Sequence, residues 1–290
     1  EDRVLKILAN KDAVFNADGN PQLIATENVL GQTIPFSGEF GISTNPESFA
    51  SESYRVYFAD KVRGTILRLS KDGLTPISRH GMKDWFKDNL KLSNTISGSY
   101  DDKKDEYNIT LKGNSIAKTV SFREDVKGWV SFKSFIPENG ASMANDYYTF
   151  VGGDLFKHHI EENVNRNTFY GTLPENFTSS SVNVLLNDEP SIVKSFKTLN
   201  YEGSQTKVNI NHSDDQYFNL TNKKGWYVQS IETDKEKGSL NEFIEKEGKW
   251  FNYLRGQGII TDPDNPGHVL INEDGSSSFD QASFAIQGIG

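Results

Sequence analysis

The sequence predicts an all-β protein, built as an antiparallel meander with propeller-like blades and one short helix near residues 83–90. Aromatic residues make up 12% of the 290-residue chain, and such side chains suit pleated, half-buried strands. Its 24 glycines supply turns. Short runs with strand-like alternation, separated by polar turns, recur along most of the chain.

The N-terminal part offers a strand-like run at residues 3–8 and then a looser region that leads to a turn at Asn45. Pro46 suits the first position of a short helical turn, because no backbone donor is needed there. Asn45 precedes it as a candidate N-cap. Phe49, which follows this turn, is expected to pack inward.

The first hairpin is predicted from residues 55–60 (RVYFAD) and 65–69 (TILRL), whose side chains alternate between two faces. Asp60 and Arg63 flank the bend between the two strands. Asp72 precedes the glycine of the next turn. These three charged residues are therefore predicted to shape corners and turns and to have no catalytic role.

A helix is predicted at residues 83–90, because Met82, Trp85, Phe86 and Leu90 recur at helical spacing. An aromatic stripe of this kind is typical of a face that packs on a core.

After the helix the strand pattern resumes. Four consecutive candidates are residues 96–100, 107–111, 119–122 and 129–135. Four antiparallel strands in about 40 residues match the size of one propeller blade. Residues 147–150 and 155–158 flank a Gly-Gly turn, and residues 168–170 and 182–186 would complete a second blade. Because no strict repeat consensus is present, a β-sandwich or an irregular meander stays open.

The C-terminal part contains further strand candidates at residues 195–201, 208–211, 226–233 and 283–287. Residues 239–254 allow two interpretations. Ser239 and Glu242 match a capping box that would start a helix, whereas the flanks of Glu247-Gly248 resemble the arms of a hairpin. The hairpin is favoured because its surroundings are rich in strands.

Domain organisation is predicted as one β-rich module over residues 1–290, with a subdivision near residues 234–240. The chain begins with Glu1 and ends in strand-like sequence, so we expect it to be a fragment of a longer polypeptide.

Composition excludes several classes of function. A net charge of −9 argues against a general nucleic-acid binder and against docking on anionic membranes. No apolar run approaches the ~20 residues of a membrane helix, so membrane insertion is not expected. The absence of cysteine excludes disulfides and thiolate chemistry. Four Asn-x-Ser/Thr matches are attributed to chance; they lie at Asn108, Asn176, Asn211 and Asn219.

Candidate metal sites are few, and no cofactor is predicted. Asp262, Asp264 and Glu273 take the first, third and twelfth positions of a calcium-loop count. A proline replaces the fifth-position ligand and no helix flanks the loop, so a surface loop is favoured. His158 and His159 are interpreted as a polar strand end, because neighbours on a strand point to opposite faces.

Enzymatic activity is not predicted, because the sequence contains no phosphate loop, dinucleotide fingerprint, HExxH or GxSxG motif. The acidic residues at 101, 102, 105 and 106 share a hairpin tip with two lysines, which is typical of a solvated tip. Paired carboxylates of a glycoside hydrolase are the one enzymatic alternative. Trp129, Trp226 and Trp250 would be its sugar-stacking platforms, although each fits a core position better.

Several segments resemble virion structural proteins of tailed bacteriophages. They include residues 4–20 (VLKILANKDAVFNADGN), 29–50, 55–78, 127–140, 147–159, 196–205 and 245–256 (EKEGKWFNYLRG). Some tail proteins of short-tailed phages, among them nozzle-type proteins, carry propeller modules. The resemblance implies a structural protein of the virion tail (nozzle, hub or tip) that acts in particle assembly and DNA passage.

The same resemblance implies partners and a location. The expected partners are copies of the chain in a symmetric ring and other virion tail proteins, with transient contact to phage DNA or the host surface. Assembly would take place in the bacterial host cytoplasm. The alternative is a tail protein that binds or degrades host-surface glycans.

Overall fold

A computed structural model describes residues 3–7, 13–15, 21–23, 33–160, 167–171, 176–203, 226–240, 242–256, 258–259, 264, 279–280 and 285–290. The chain divides into two compact units, Glu1–Ser181 and Val182–Gly290. The boundary expected near residues 234–240 would fall inside the second unit and stays a prediction.

The first unit contains short strands β1 (Leu5–Ile7), β2 (Ala13–Phe15), β3 (Pro21–Leu23) and β4 (Thr33–Pro35), of which β1 pairs with β4 and β2 with β3. It continues with β5 (Ala50–Glu52), β6 (Arg55–Asp60), β7 (Thr65–Ser70), β8 (Gly73–Pro76), helix α1 (Lys83–Leu92), β9 (Thr95–Asp101), β10 (Glu106–Lys112), β11 (Ala117–Arg123), β12 (Gly128–Lys133), β13 (Asn139–Met143), β14 (Asp146–Val151) and β15 (Asp154–Lys157). The short 3-10 turns are Pro46–Ser48 and Ile77–Arg79.

The first large sheet is an antiparallel meander of four strands in sequential order, β5 to β8. Phe58 pairs with Leu67 and Val56 with Leu69, as the alternation of the sequence predicts. The turn before it begins at Pro46, but the Asn45 side chain makes no capping hydrogen bond. Phe49 is 47% exposed, so the expectation that it packs inward is wrong. The chain there is in extended conformation, and Ser48 takes the buried position instead.

The corner after β6 is built around the buried carboxylate of Asp60. Its oxygens accept hydrogen bonds from the backbone N–H groups of Gly41 at 3.1 Å and Arg63 at 3.0 Å. The hydroxyl of Ser43 donates to it at 3.3 Å, and the Arg63 guanidinium lies 3.2 Å away. Asp60 thus fixes both the corner and the loop that precedes the sheet, which agrees with a structural role.

Replacing Asp60 with alanine is expected to lower the free energy of unfolding by about 2–4 kcal/mol, because buried donors would lose their acceptor. Asp72, which is exposed in the next turn, provides the matched control; its alanine variant should lose less than about 1 kcal/mol. Urea unfolding followed by circular dichroism measures both. Equal effects would contradict the role assigned to Asp60.

Helix α1 confirms the predicted helix and extends it to Leu92. Phe86 and Leu90 are fully buried, and Met82 and Trp85 pack against the same core. No helix among the described residues is both long enough and apolar enough to cross a bilayer.

The second large sheet orders its strands β12–β11–β10–β9, again an antiparallel meander. The four strands predicted after the helix are therefore confirmed. One face of this sheet carries apolar side chains that pack with α1 and the first sheet. Tyr57 of the first sheet stacks on Tyr107 and Tyr100 of the second, with ring centroids 4.7 and 5.8 Å apart.

Ionic contacts also join these two sheets. The hydroxyl of Tyr57 donates to Oε1 of Glu124 at 2.8 Å, and the Arg68 guanidinium contacts Oε2 at 2.8 Å. Burial, then the hydrogen bond to Glu124, raises the pKa of Tyr57 well above its ordinary value. This tyrosine therefore stays a neutral donor at physiological pH.

The third sheet, β13–β14–β15, contains the hairpin predicted around Gly152-Gly153. The expectation that residues 168–170 and 182–186 complete a four-stranded blade is wrong. Thr168 forms only an isolated bridge with Phe177, and residues 182–186 form no strand. The reason is that hydrophobic, β-branched sequence makes a strand only where a neighbour supplies hydrogen-bond partners.

The second unit contains β16 (Lys194–Phe196), β17 (Thr198–Glu202), β18 (Ile231–Glu232), β19 (Lys237–Ser239), β20 (Ile244–Lys246), β21 (Lys249–Tyr253), β22 (Arg255–Gly256), β23 (Gly258–Ile259), β24 (Phe279–Asp280) and β25 (Ile286–Gly288). Its sheets are β16–β25, β17–β21–β20, β18–β19–β22 and β23–β24. The predicted hairpin over residues 239–254 is confirmed by β20 and β21, and the capping-box helix is wrong. The predicted strand at residues 208–211 lies outside the described residues.

Candidate functional site

The second and third sheets meet through polar side chains, which we call the polar layer: Ser97, Ser99, Asp101, Glu106, Asn108, Thr110, Thr119 and Ser121 of the second sheet, with Tyr147, Thr149, His158 and His159 of the third sheet and its C-terminal end. All except His159 are buried. Alternation creates this face, because apolar and polar residues alternate along β9–β11 and successive side chains point to opposite faces. This layer brings hydroxyl, carboxylate and imidazole groups together.

Hydroxyl groups of the polar layer bond to each other across strands and sheets. The Thr110 and Thr119 hydroxyls are 2.9 Å apart, and the Ser99 and Tyr147 hydroxyls are 2.7 Å apart. Burial raises the pKa of Tyr147, so its phenol stays protonated and can donate. Since buried polar groups are costly unless they are hydrogen-bonded, these pairs permit the two sheets to pack without an apolar interface.

The acidic hairpin tip differs from its prediction. Asp102 and Asp105 are exposed as expected, but Asp101 is only 2% and Glu106 only 7% exposed. Glu106 pairs with Lys133 at 2.7 Å across the sheet. Asp101 turns inward because its Oδ1 accepts the backbone N–H groups of the following turn, while its Oδ2 lies 2.6 Å from Nε2 of His159.

The two adjacent histidines follow β15 and contact different partners. His159 has a positive φ of 59°, so the pair leaves strand geometry here, and its ring lies beside Asp101. His158 is buried, and its Nε2 lies 2.7 Å from the Thr149 hydroxyl. Burial, with a smaller contribution from His159, lowers the pKa of His158 to about 4.

We expect the unfolding free energy to fall as the pH drops from about 6.5 to about 4, by on the order of 2–3 kcal/mol from His158 alone. In this window the unfolded chain binds a proton at His158 that the folded chain does not, so acid favours unfolding. His158→Phe should remove this part of the slope in denaturant titrations at each pH. The same change at exposed His80 is the matched control. An unchanged slope in the His158 variant would contradict this assignment.

The polar layer is arranged for packing. A hydroxyl nucleophile needs a base and access to substrate. Ser99 bonds to a tyrosine, and Thr149 is fully buried beside His158. Across the described ranges, no group of three or more His, Asp or Glu side chains could hold a metal ion. The calcium candidates Asp262 and Glu273 lie outside the described residues, whereas Asp264 is described and exposed.

The three tryptophans considered as sugar platforms differ in burial. Trp250 is 3% exposed in the core of the second unit, and its indole N–H donates to the Gly203 carbonyl. Trp129 packs on Phe86 and Phe122, and its indole N–H donates to the Ile77 carbonyl. Trp226 is 45% exposed. Sequence reasoning missed the polar layer, because alternation of apolar and polar residues in β9–β11 is equally typical of a sheet with one face in water.

Comparison with known families identifies the lineage. The model of the Crassvirus muzzle protein matches residues 6–153, more than half of the chain, and that of the Crassvirus muzzle protein C-terminal domain matches residues 164–257. A comparison with curated protein sequences found no match. The resemblance to phage virion structural proteins is thereby confirmed. The chain belongs to the Crassvirus muzzle protein family and is a structural protein of the phage virion.

Proposed function

We propose that this protein is a tail component, at the nozzle, hub or tip, that acts in particle assembly and DNA passage without a catalytic step. The observation that supports this proposal best is the stack of three antiparallel meanders in the first unit. An ion pair and hydrogen bonds join the first sheet to the second, and hydrogen bonds join the second to the third. Such a stack resists deformation, because its interfaces hold discrete hydrogen-bonded partners. A part that withstands the forces of DNA ejection needs that property.

We further propose that the stacked sheets are propeller-like. Two of them contain four strands in sequential antiparallel order, which is the organisation of a propeller blade. The third has three strands and follows directly in the chain. Among the described residues the sheets do not close into a ring, so an open arc of blades is the form that we propose.

The partners in this proposal are copies of the chain in a symmetric ring and other tail proteins, assembled in the bacterial cytoplasm. A net charge of −9 suits a channel wall, because an acidic surface repels the phosphate backbone and prevents DNA from adhering. Contact with DNA or with the host surface would then be transient.

A gel-shift assay with the purified chain and double-stranded DNA tests the channel role. We expect no retained complex at micromolar protein and about 0.15 M salt, where nonspecific binders make complexes that weaken steeply with added salt. Salt-sensitive, micromolar binding would contradict a repelling wall.

The glycan alternative has a separate test. Of the three tryptophans considered as sugar platforms, Trp250 is buried and Trp129 is partly buried, and the indole N–H of each donates to a backbone carbonyl. Glycan-array binding and polysaccharide-cleavage assays are therefore expected to be negative. Trp226→Ala is the diagnostic variant if an array signal is seen. Binding that this variant abolishes would support the alternative over the structural proposal.

A further inference from the structure

One segment of the second unit, residues 182–193, is exposed at every residue and belongs to no strand or helix. We call it the apolar segment. Six of its residues are large hydrophobics that are about half to three-quarters exposed: Val182, Val184, Leu185, Leu186, Ile192 and Val193. Monomeric proteins seldom leave apolar patches of more than a few hundred Å² exposed, and larger ones mark interaction sites.

The C-terminal half of the apolar segment is fastened to its own unit. The ammonium of Lys194 donates to the carbonyls of Asp188 at 2.7 Å and of Glu189 and Ile192 at 3.3 Å. Gly290 lies against the Leu186 carbonyl so closely that a Cβ there would be 2.6 Å from it. These contacts hold the chain in place directly after residues 182–186. Residues 182–186 (VNVLL) have a strand-like sequence, and no described strand pairs with them.

The same chain also exposes an uncharged sheet edge with apolar side chains. Strand β12 is the outer strand of the second sheet, and no described strand pairs with its free side. Val130 and Phe132 are exposed there, and a register shift in the β11–β12 ladder leaves Val130 outside the pairing. From Gly128 to Phe132 this edge contains no charge, whereas β15, the edge of the third sheet, carries Asp154 and Lys157, which are typical of a protected edge.

We propose that residues 182–186 of one copy add as a strand to the free edge of β12 in a neighbouring copy. The proposal rests on the proposed function, in which the chain assembles in copies. Two different surfaces of one chain then meet, and such a heterologous contact, repeated with rotation, generates a ring. Main-chain hydrogen bonds would supply affinity, and the aliphatic side chains would cover the exposed edge.

The exposed area supports a second copy as the occupant. Four hydrophobic residues of the added strand, Val182, Val184, Leu185 and Leu186, are 53–77% exposed and would be covered by the contact. A standard specific interface buries about 800 Å² per partner, so this strand is one part of a larger interface. In a ring each copy uses its segment toward one neighbour and its β12 edge toward the other, and the backbone of the added strand contributes further area.

Cysteine cross-linking tests this contact, because the chain contains no cysteine of its own. One set of variants has a cysteine in the apolar segment, at Val184→Cys or Leu185→Cys. The other set has a cysteine in β12, at Val130→Cys or Phe132→Cys. One variant from each set is mixed and the mixture is oxidised. At least one combination is expected to yield a disulfide-linked pair, since paired strands bring Cβ atoms within about 4–6 Å. Leu155→Cys on β15 is the control edge and should not cross-link. Cross-links to Leu155 alone, or none, would overturn the proposal.

Sedimentation of the full chain provides the second readout. Val184→Asp is expected to weaken self-association at least tenfold. Val62→Asp, at a valine in the β6–β7 turn that is 75% exposed against 64% for Val184, is expected to leave it unchanged. Unchanged thermal melting verifies folding. If wild-type chains assemble and Val184→Asp does so equally well, this contact is wrong and the structural role stands. If wild-type chains stay monomeric at millimolar concentration, both proposals fail.

Discussion

Phe86→Ala is expected to lower the unfolding free energy of the first unit by about 3–5 kcal/mol. The Phe86 ring is fully buried, and it lies 4.9 Å from Trp85 and 4.4 Å from Trp129 between ring centroids. Removing it leaves a cavity between helix α1 and the second sheet, which aromatic neighbours cannot fill without leaving their rotamers. Chemical unfolding followed by tryptophan fluorescence measures the loss directly, since two of the affected neighbours are tryptophans.

Phe49→Ala is the matched control. Phe49 is the phenylalanine that the sequence places inside and the structure places half in solvent. Its loss should cost less than about 1 kcal/mol, because only part of the side chain leaves an apolar environment. A larger effect for Phe49 than for Phe86 would mean that the packing of the first unit is incorrectly described.

Gly98→Ala is expected to lower the free energy of unfolding by about 3 kcal/mol or more. A Cβ at this position would lie 2.1 Å from the carbonyl oxygen of Ser48 and 2.9 Å from the Tyr107 hydroxyl. The obstacle is backbone, and the Tyr107 hydroxyl already donates to that same carbonyl at 2.8 Å. The Pro46–Ser48 turn and strand β9 would therefore have to separate.

Gly128→Ala, also in a strand of the second sheet, isolates the effect of close approach from that of strand propensity. Its nearest neighbour would be the Val126 carbonyl at 3.6 Å, an ordinary contact. We expect a change of less than about 1 kcal/mol, measured by thermal or urea unfolding. Equal losses at the two glycines would contradict the tight contact between Ser48 and β9.

Local sequence patterns predict much of the fold. The helix, the β6–β7 hairpin and the four strands of the second sheet are predictable because alternation, helical spacing and turn residues act within a few neighbours. The two wrong predictions, an inward-facing Phe49 and a strand at residues 182–186, share a cause. Phe49 and residues 182–186 have the intrinsic character of buried or paired residues, but their environment depends on distant parts of the chain, which local patterns do not encode.

The candidate site was harder to predict. Alternation in β9–β11 ordinarily indicates a sheet with one face in water, and Asp101 and Glu106 read as solvated tip residues. The third sheet covers that face, so these carboxylates are buried with His159 and Lys133 as partners. No residue near Asp101 in the sequence indicates that its partner is a histidine 58 positions away. Adjacent histidines suggest metal binding, but His158 contacts the Thr149 hydroxyl and His159 contacts the Asp101 carboxylate, where the second and third sheets pack.

The most direct test of the central claim is a cryo-electron microscopy reconstruction of the intact particle. We predict density for this chain in several symmetry-related copies around the tail axis, with the axis-facing surface acidic. Finding the chain in the capsid shell, finding it as a single copy, or finding a strongly basic surface along the axis would contradict the account.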